Sequence, residues 1–595
     1  MKSLAQLNKY FLKYKWRFLL GIVFVVAQNF FALWPVEYVG KSIDAVVASL
    51  NDYNSEEVHR DTLVPELTEK IFYFLLIIIG LGILRGIIMF MMRQTMIVMS
   101  RLIEYDLKND IYSHNQRLSL AFYRRNNTGD LVNRISEDVS RVRMYIGPAI
   151  MYTINLVVLF TLIIIIMFSV NATLAIYVLM PLPILSISIY IVSAKMNSKS
   201  EDVQVQQSRL STFVQEAFSG IRVLKSFVRE TQSEAAFEKE SLNYKDKSME
   251  LVKINSMFFP LMLLLVGIST LLVVYIGGRE VIAGNFTAGN IAQFIIYVNM
   301  LTWPVAALGW VTAIVQRAAA SQERINEFLH TEPEIQSDDS NAIRITGKIE
   351  FRNVSFIYPD SGLKALDDVS FTVEPGESLA VLGRTGSGKS TVANLIVRMY
   401  DAGSGKILID DHPLETISLT TMRENTGYVP QDVFLFSDTI ANNISFGIPH
   451  DENGLIREKV YQAAKDAVIY DNIMEFENKF DTMIGERGIT LSGGQKQRVS
   501  IARALIKNPK ILVFDDCLSA VDTHTEEMIL GNLKKQMEGK TSLIISHRVS
   551  TVKHAERIIV LDAGKVVEKG NHEELLAKRG LYFALYEKQL TEEEV

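Results

Sequence analysis

Residues 383–390 read Gly383-Arg384-Thr385-Gly386-Ser387-Gly388-Lys389-Ser390, and this stretch decides the fold of the second half of the chain. It matches G-x-x-x-x-G-K-[ST], the phosphate-binding loop. The glycines permit turns that side chains prevent, so successive backbone N–H groups point at phosphate oxygens. Lys389 is placed to reach the β- and γ-phosphates, and the Ser390 hydroxyl to bind Mg²⁺. Residues 379–382 predict a buried strand before the loop, and residues 391–396 predict a helix after it, whose N-terminus favours anions.

Length and composition indicate two unlike halves. A chain of 595 residues is long enough for more than one domain. Long apolar runs extend to about Trp310, whereas the sequence after about Ile349 has the composition of a soluble α/β protein. The net charge of −6 gives no support to nucleic-acid binding. The single cysteine, Cys517, excludes an intrachain disulfide framework and a multi-cysteine metal site.

Six apolar stretches in the first half are predicted to cross a membrane, since about 20 apolar residues suffice. They lie near residues 18–39, 71–93, 146–169, 171–193, 256–277 and 289–313. Basic residues between positions 9 and 17 precede the first stretch, and no A-x-A-like cleavage site ends it. This pattern predicts an uncleaved anchor with a cytoplasmic N-terminus. Six crossings leave both termini on one side, so we expect the second half to be cytoplasmic too.

Two segments between the predicted spans, 94–145 and 194–255, are too polar for lipid but show helical periodicity. We interpret them as spanning helices that extend into the cytoplasm. Each is expected to turn over at a short transverse helix, within 122–131 and within 216–222 respectively. Solvated loops are the alternative, but structureless loops longer than about 15 residues are uncommon.

The ionisable residue Arg85 falls well inside the second predicted span. Intramembrane charges usually mark a pathway or a paired interior contact. Arg85 is therefore the best candidate for a cavity residue, with a structural bond to a neighbouring helix as the alternative. Trp303 and Trp310 are candidates either for the same cavity or for the membrane interface.

A polar stretch containing Asp338-Asp339-Ser340-Asn341 predicts a domain boundary. We expect a membrane domain over 1–330, a linker over 331–347 and a nucleotide-binding domain over 348–595. Early in that last domain, Tyr358 follows two predicted strands and is a candidate aromatic platform for adenine. Most such tyrosines are core or edge residues, which is the alternative reading.

Two further stretches of sequence are candidates for binding Mg²⁺ and phosphate. Residues 510–516 predict a buried strand that ends in Asp515 and Asp516, and a carboxylate there holds the Mg²⁺ shell. Leu491-Ser492-Gly493-Gly494-Gln495 opens a predicted helix, which is a second anion-binding helix end. Two such ends so far apart make sense if one ATP lies between two copies, the loop of one facing the second stretch of the other.

Over essentially its whole length the sequence resembles ATP-binding cassette (ABC) exporter half-transporters of the bacterial multidrug and lipid-flippase type. The LSGGQ signature at 491–495, combined with the phosphate-binding loop, carries this resemblance. It implies an α-helical polytopic membrane domain with six spans of the type I exporter kind, followed by an α/β P-loop NTPase cassette. It further implies a multi-pass protein of the bacterial cytoplasmic membrane. Such a protein exports a lipophilic or amphiphilic substrate as a dimer by alternating access, driven by ATP with Mg²⁺.

The resemblance also implies roles for individual residues. Gln431 is similar to the Q-loop glutamine that touches Mg²⁺, and His547 to the switch histidine at the γ-phosphate. Residues 482–488 resemble the exporter-specific loop, and residues 519–522 the D-loop. The expected catalytic residues are Asp516, His547 and Gln431, and the expected Mg²⁺ ligands are Ser390, Gln431 and Asp515. The expected nucleotide-binding residues are Tyr358, Gly383, Arg384, Thr385, Gly386, Ser387, Gly388, Lys389, Ser390, Thr391, Ser492, Gly493, Gly494 and Gln495.

One position departs from the family pattern, because Asp516 stands where the catalytic glutamate is usual. Aspartate is shorter by one carbon–carbon bond, about 1.5 Å, and a misplaced base can cost on the order of a hundredfold in rate. We therefore expect slow hydrolysis at this chain's own site and a heterodimer with a competent partner. Retention of His547 speaks for the alternative, a slow homodimeric lipid flippase. An ATP-gated channel or channel regulator is disfavoured by the lack of an appended regulatory insertion.

Overall fold

A computed structural model of the chain describes residues 2–55, 60–337, 343–449, 456–485, 491–518 and 523–593. Its residues fall into two compact units. The first comprises residues 1–115 and 129–331, and the second comprises residues 116–128 and 332–595. The polar stretch Asp338–Asn341 expected at the boundary lies outside the described residues.

The described part of the chain up to residue 331 is mainly helical. Its helices are α1 (Asn8–Lys13), α2 (Lys15–Ser55), α3 (Arg60–Arg117), α4 (Leu120–Arg125), α5 (Thr128–Asn133), α6 (Val139–Met144), α7 (Ile150–Val170), α8 (Ala172–Leu179), α9 (Pro181–Ser219), α10 (Ile221–Ser226), α11 (Glu230–Ile282) and α12 (Ala288–Leu329). A 3-10 turn over Lys2–Leu7 precedes α1, and π turns over Arg134–Asp138 and Tyr145–Ala149 join α5, α6 and α7. The polar segments between the predicted spans are thus helical, with short helices α4 and α10 at their turning points.

Five helices among the described residues are long and apolar enough to cross a membrane: Lys15–Asp52, Leu63–Arg117, Thr128–Val170, Glu230–Ile282 and Ala288–Leu329. The stretch predicted as the fourth of six spans, 171–193, coincides with α8 and the start of α9. A turn at Met180 divides it, just before Pro181. Proline has no N–H to donate to the preceding helical turn, so the backbone hydrogen-bond pattern is interrupted between α8 and α9.

Among its described residues the second unit contains α4 and ten strands: β1 (Ile349–Ile357), β2 (Lys364–Val373), β3 (Ser378–Gly383), β4 (Ser404–Ile409), β5 (His412–Pro413), β6 (Thr426–Val429), β7 (Ile511–Asp515), β8 (Thr541–Ser546), β9 (Arg557–Asp562) and β10 (Lys565–Gly570). Its other helices are α13 (Lys389–Ile396), α14 (Leu419–Glu424), α15 (Ile440–Ser445), α16 (Ile456–Asp466), α17 (Tyr470–Met474), α18 (Gly493–Leu505), α19 (Thr523–Met537), α20 (Val549–Val552), α21 (His572–Lys578) and α22 (Leu581–Glu593). This is an α/β domain, as predicted.

Two sheets organise this unit. The order β2-β1-β4-β5 forms an antiparallel sheet, and the order β10-β9-β3-β8-β7-β6 forms a mainly parallel one. In the parallel sheet β3 pairs with β8 and β9, β8 with β7, and β7 with β6. The carboxyl ends of these parallel strands therefore meet at one edge.

Alternation along β3 shows how the parallel sheet is buried on both faces. Leu379 and Val381 pack in one apolar cluster with β1, β2 and α13, whereas Ala380 and Leu382 pack in another with α20, β9 and α21. Successive side chains of a strand point to opposite faces, so an uninterrupted apolar run is what such a strand requires. The prediction of a buried strand before the loop is confirmed.

A buried carboxylate in the first unit joins the π turn after α5 to α12. Asp138 is 4% exposed, and it accepts hydrogen bonds from Ser321 Oγ at 2.8 Å and Arg324 Nε at 3.0 Å. A second bond comes from Arg324 Nη2. A buried acceptor that receives several donors is costly to remove, because the donors are left without partners.

We expect Asp138→Ala to destabilise the full-length protein by about 1–3 kcal/mol, because Ser321 and Arg324 lose their shared acceptor. The measurement is thermal unfolding in detergent, where the variant unfolds at a lower temperature. Glu137→Ala is the matched control, since Glu137 pairs with Arg141 on the exposed face of the adjacent turn. Equal effects of the two substitutions would contradict the role given to Asp138.

Candidate nucleotide site

The edge where the parallel strands end gathers the residues that the sequence singled out. The phosphate-binding loop follows β3, and β7 ends at Asp515. His547 follows β8 directly, and Gln431 follows β6 by two residues. A cavity of about 200 Å³ opens among these strand ends. It is lined by Tyr358, Leu363, Ala365, Thr385, Gly386, Gly388, Lys389, Ser390, Thr391, Gln431, Asp515, Asp516 and His547.

Two glycines of the loop have no room for a side chain. A Cβ on Gly388 would lie 2.3 Å from the carbonyl oxygen of Ala365, and Gly388 has a φ of +99°. A Cβ on Gly383 would lie 2.3 Å from the carbonyl oxygen of Leu561. The loop thus packs its backbone against neighbouring backbone, leaving the cavity side for a ligand.

Inside the loop, Ser387 is 4% exposed and its Oγ has no hydrogen-bond partner among the described residues. Buried hydroxyls normally have a partner. The Ser387 hydroxyl can donate a hydrogen bond, and it lies beside the backbone N–H groups of the concave loop. An anionic ligand whose oxygens accept hydrogen bonds would fit these donors. The residues present therefore fit a nucleotide phosphate.

Lys389 places its ammonium group over the loop backbone. Its Nζ donates to the carbonyl oxygens of Gly383 and Arg384, both at 2.8 Å. Burial lowers the pKa of Lys389, while the carboxylates of Asp516 and Asp515 oppose that shift. The cation is thus held in the mouth of the loop by neutral acceptors, which a phosphate can replace with a stronger, charge-assisted bond.

Asp515 and Ser390 form an oxygen pair beside the lysine. Ser390 Oγ donates to Asp515 Oδ1 at 2.9 Å, and Asp515 is 2% exposed. Burial, helped by the charge of Asp516 and opposed by the hydrogen bond from Ser390, raises the pKa of Asp515 to about 6. A carboxylate that is penalised for its charge in this way is stabilised by a nearby cation.

Asp516 lies between His547 and Gln431. His547 Nδ1 is 2.9 Å from Asp516 Oδ1 and 3.0 Å from Oδ2, and Gln431 Nε2 donates to Oδ2 at 3.4 Å. The backbone of Asp516 has a φ of +47°, in the left-handed region that non-glycine residues seldom adopt. Strained backbone of this kind clusters at functional sites.

Tyr358 is the aromatic residue among the cavity-lining residues that the sequence singled out. Its hydroxyl pairs with Thr391 Oγ1 at 3.0 Å. Its ring meets those of Phe356 and Tyr400 edge-to-face, with centroids 5.0 Å and 5.5 Å away. The hydroxyl and the ring edges are therefore held, and the ring remains only partly buried.

The signature residues lie elsewhere. Ser492 caps α18, where its Oγ accepts from Gln495 N at 3.3 Å and its own N–H donates to Gln495 Oε1 at 2.9 Å. None of Ser492, Gly493, Gly494 and Gln495 is among the described residues that line the cavity. Glu486–Gly488 of the exporter-specific loop and the D-loop residues 519–522 lie outside the described residues.

The sequence did not single out Leu363 and Ala365, which also line the cavity. Their only signal is position, since Leu363 directly precedes β2 and Ala365 is its second residue. Arg124, whose guanidinium lies over the Tyr358 ring, was also missed, and no motif marks it.

The first unit contains a second cavity, of about 350 Å³. Arg85 lines it, together with Arg93 from the same helix and the amide side chains of Gln28, Asn29 and Asn155. Asn29 Nδ2 donates to Asn155 Oδ1 at 2.9 Å, which ties α2 to α7 at this place. The remaining lining is mostly methionine and aromatic, and includes Trp303.

Comparison with known proteins identifies both regions. The family described as "ABC transporter transmembrane region" matches residues 18–305, and the family described as "ABC transporter" matches residues 366–519. The chain is 34% identical to the probable multidrug resistance ABC transporter ATP-binding/permease protein YheI of Bacillus subtilis, over 98% of this chain and 97% of that protein. It is 33% identical to the multidrug resistance-like ATP-binding protein MdlA of Escherichia coli, over 100% and 97%.

A third relative is the ATP-dependent lipid A-core flippase of Syntrophus aciditrophicus, 37% identical over 82% of this chain and 81% of that protein. The relatives and the two family matches agree with the helical first unit and the α/β second unit. ATP hydrolysis coupled to transport across the membrane follows from the same matches. The chain belongs to the ABC transporter family, as an exporter that carries its transmembrane region and its ATP-binding cassette on one polypeptide.

Proposed function

We propose that this exporter works as a dimer in which each ATP is bound by the phosphate-binding loop of one chain and the signature of the other. The observation that carries the proposal is the separation within the chain: the loop lines the cavity, whereas Ser492–Gln495 do not. Their helix end has N–H groups suited to phosphate, as the sequence indicated. A second chain supplies the missing half of the site.

Exposed apolar side chains support a dimer. Phe218, Phe227 and Val228, around α10, are 73%, 70% and 79% exposed in the single chain. In the cassette, Phe434 and Phe446 are 67% and 63% exposed. Phe434 and Phe446 both contact the ring of Phe436, so they form an exposed apolar cluster. Exposed apolar clusters mark interaction sites, and a dimer of such exporters has two cassettes and two sets of cytoplasmic helices to cover exposed apolar side chains.

The residues that line the cavity are assigned separate roles in binding the nucleotide and Mg²⁺. Lys389 and the loop N–H groups hold the β- and γ-phosphates, and Tyr358 stacks on adenine. Ser390, Gln431 and Asp515 hold Mg²⁺, which shields phosphate charge. The described residues contain no group of three or more His, Cys, Asp or Glu side chains that could hold a metal ion by themselves, and Mg²⁺ typically uses one or two carboxylates with phosphate and water. Because His547 meets Asp516 through Nδ1, its Nε2 is the ring nitrogen for the γ-phosphate.

The transport cycle depends on which conformation of the cassettes binds ATP most tightly. ATP favours the closed pair of cassettes, because only there do both chains contact it. The short helices α4 and α10 transmit the closure of the cassettes to the spanning helices. The spanning helices then open the membrane domain outward. Hydrolysis removes the γ-phosphate contact and restores the inward-facing state. The N-terminus and the cassettes lie in the cytoplasm.

Asp516 makes hydrolysis at this chain's own site slow. The carboxylate is already engaged by His547 and Gln431, and it is one bond shorter than the family's glutamate. With the signature intact, the chain still completes an active site on a partner that has the glutamate. We therefore favour a heterodimer of unequal sites; a homodimeric flippase that turns over slowly is the second candidate, and the retained His547 favours it.

The substrate is proposed to be an amphiphile. The cavity of the first unit combines methionine and aromatic walls with amide groups and two guanidinium groups. No acidic side chain is among the described residues that line it. This chemistry suits a lipid-like molecule whose polar end carries negative charge. The relatives named multidrug resistance protein and lipid A-core flippase have names consistent with that class.

We expect Lys389→Ala to weaken ATP binding by on the order of tenfold or more, because a charge-assisted phosphate contact is lost. Equilibrium binding to the full-length protein measures it. Lys406→Ala, an exposed lysine on β4, is the control and leaves affinity unchanged. Unaltered ATP occupancy after Lys389→Ala would show that the lysine does not hold phosphate.

Asp516→Glu should raise the ATPase rate of the chain purified alone by on the order of tenfold or more, because the longer side chain brings the base nearer to the attacking water. Asp515→Glu is the matched control: the same extension at a 2%-exposed position should lower the rate. No increase for Asp516→Glu would mean that carboxylate reach does not limit turnover. Brisk ATPase of the unmodified chain would contradict the proposed inequality of sites.

Arg85→Gln and Arg93→Gln are each expected to weaken the stimulation of ATPase by an anionic phospholipid by about tenfold in apparent affinity, because a charge-assisted bond to the headgroup is lost. Stimulation by a zwitterionic phospholipid should not change. Arg279→Gln, outside the cavity lining, is the control. Equal losses for both lipids would argue against recognition of a negative headgroup.

A further inference from the structure

The short helix α4 is packed into the cassette unit. Ala121 is 2% exposed and belongs to the same apolar cluster as Phe356 and Tyr400. On the same helix, Arg125 forms an ion pair with Glu334. Apolar packing and an ion pair therefore hold α4 in one orientation on this unit.

Arg124 points into a corner made by two tyrosines. Its guanidinium carbon is 5.1 Å from the ring centroid of Tyr358 and 5.8 Å from that of Tyr400. The two rings stand at 88° to each other with centroids 5.5 Å apart. Both distances to the guanidinium are within about 6 Å, the range of cation–π attraction. No carboxylate among the described residues forms a salt bridge with Arg124, so the aromatic rings are its evident partners there.

The Tyr358 ring also reaches the nucleotide cavity. It lines that cavity, and its hydroxyl pairs with Thr391 at 3.0 Å. Thr391 follows Lys389 and Ser390 at the start of α13. One aromatic ring is thus in contact with α4 through Arg124 and with the phosphate-binding helix through its hydroxyl.

We propose that Arg124 is a positioning residue for adenine recognition, an inference that rests on the role of Tyr358 in the proposed function. The guanidinium holds the Tyr358 ring in the orientation that stacks on the base. The bound adenine and the Arg124 guanidinium both stabilise the same position of the Tyr358 ring. Adenine binding and the packing of α4 on this unit therefore favour each other. The helix α4 consequently senses the base of the nucleotide, whereas the loop senses its phosphates.

The test compares ATP with inorganic tripolyphosphate, which has no base, in equilibrium binding to the full-length chain in lipid nanodiscs with Mg²⁺. Arg124→Ala should weaken ATP binding by about threefold to tenfold, the scale of one cation–π contact. Tripolyphosphate binding should stay unchanged. Arg124→Lys should recover part of the ATP affinity, because it keeps the cation. Lys406→Ala, which removes an exposed cation on β4, is the control and should leave ATP affinity unchanged.

A double-substitution cycle completes the test. In a Tyr358→Ala background, Arg124→Ala should have no further effect on ATP, because the ring through which it acts is gone. Full additivity would overturn the inference, as would equal weakening of ATP and tripolyphosphate or an unchanged ATP affinity in Arg124→Ala. If Tyr358→Ala itself leaves ATP affinity unaltered, the adenine role in the proposed function fails and this inference fails with it. If only Arg124→Ala is without effect, the proposed function stands.

Discussion

Parallel pairing of β3 with β8, and of β8 with β7, is the constraint on which the site depends. Because these strands run the same way, the loop after β3, the carboxylates at the end of β7 and the histidine after β8 emerge at one edge of the sheet. Residues more than a hundred positions apart, such as Ser390 and Asp515, come within 2.9 Å of each other. The sheet is buried on both faces, so this edge is held rigidly.

That rigid edge carries groups whose electrostatics favour a bound nucleotide. The buried Asp515 carries an unfavourable charge, and Lys389 satisfies its ammonium on backbone carbonyls. A cation near Asp515 stabilises its buried charge, and a phosphate near Lys389 gives the ammonium group a charged partner. The signature at the start of α18 stays outside the cavity with its cap internally satisfied. In the proposed function such a chain supplies half of each site, and a partner chain supplies the other half.

Several features could be predicted from local pattern alone. The buried strand, the glycine-rich loop and the helix after it follow from short-range rules, and the structure has them where the sequence indicated. Hydropathy alone does not register the interruption at Met180, just before Pro181, inside the predicted fourth span, and that span stays a prediction. Leu363, Ala365 and Arg124 carry no motif, and their places at the cavity depend on how β1, β2 and α4 pack.

The sequence by itself determined the class of the protein: apolar runs, a phosphate-binding loop and a signature whose spacing and residue types have few other uses. It also marked Asp516 as a departure, because side-chain length is a property of the residue alone. Only the tertiary structure decided the contacts between distant residues. Asp516 contacts His547 and Gln431, and the Arg124 guanidinium lies over the Tyr358 ring. The reason is that such contacts join segments distant along the chain, and their geometry is set by strand order and helix packing rather than by neighbouring residues.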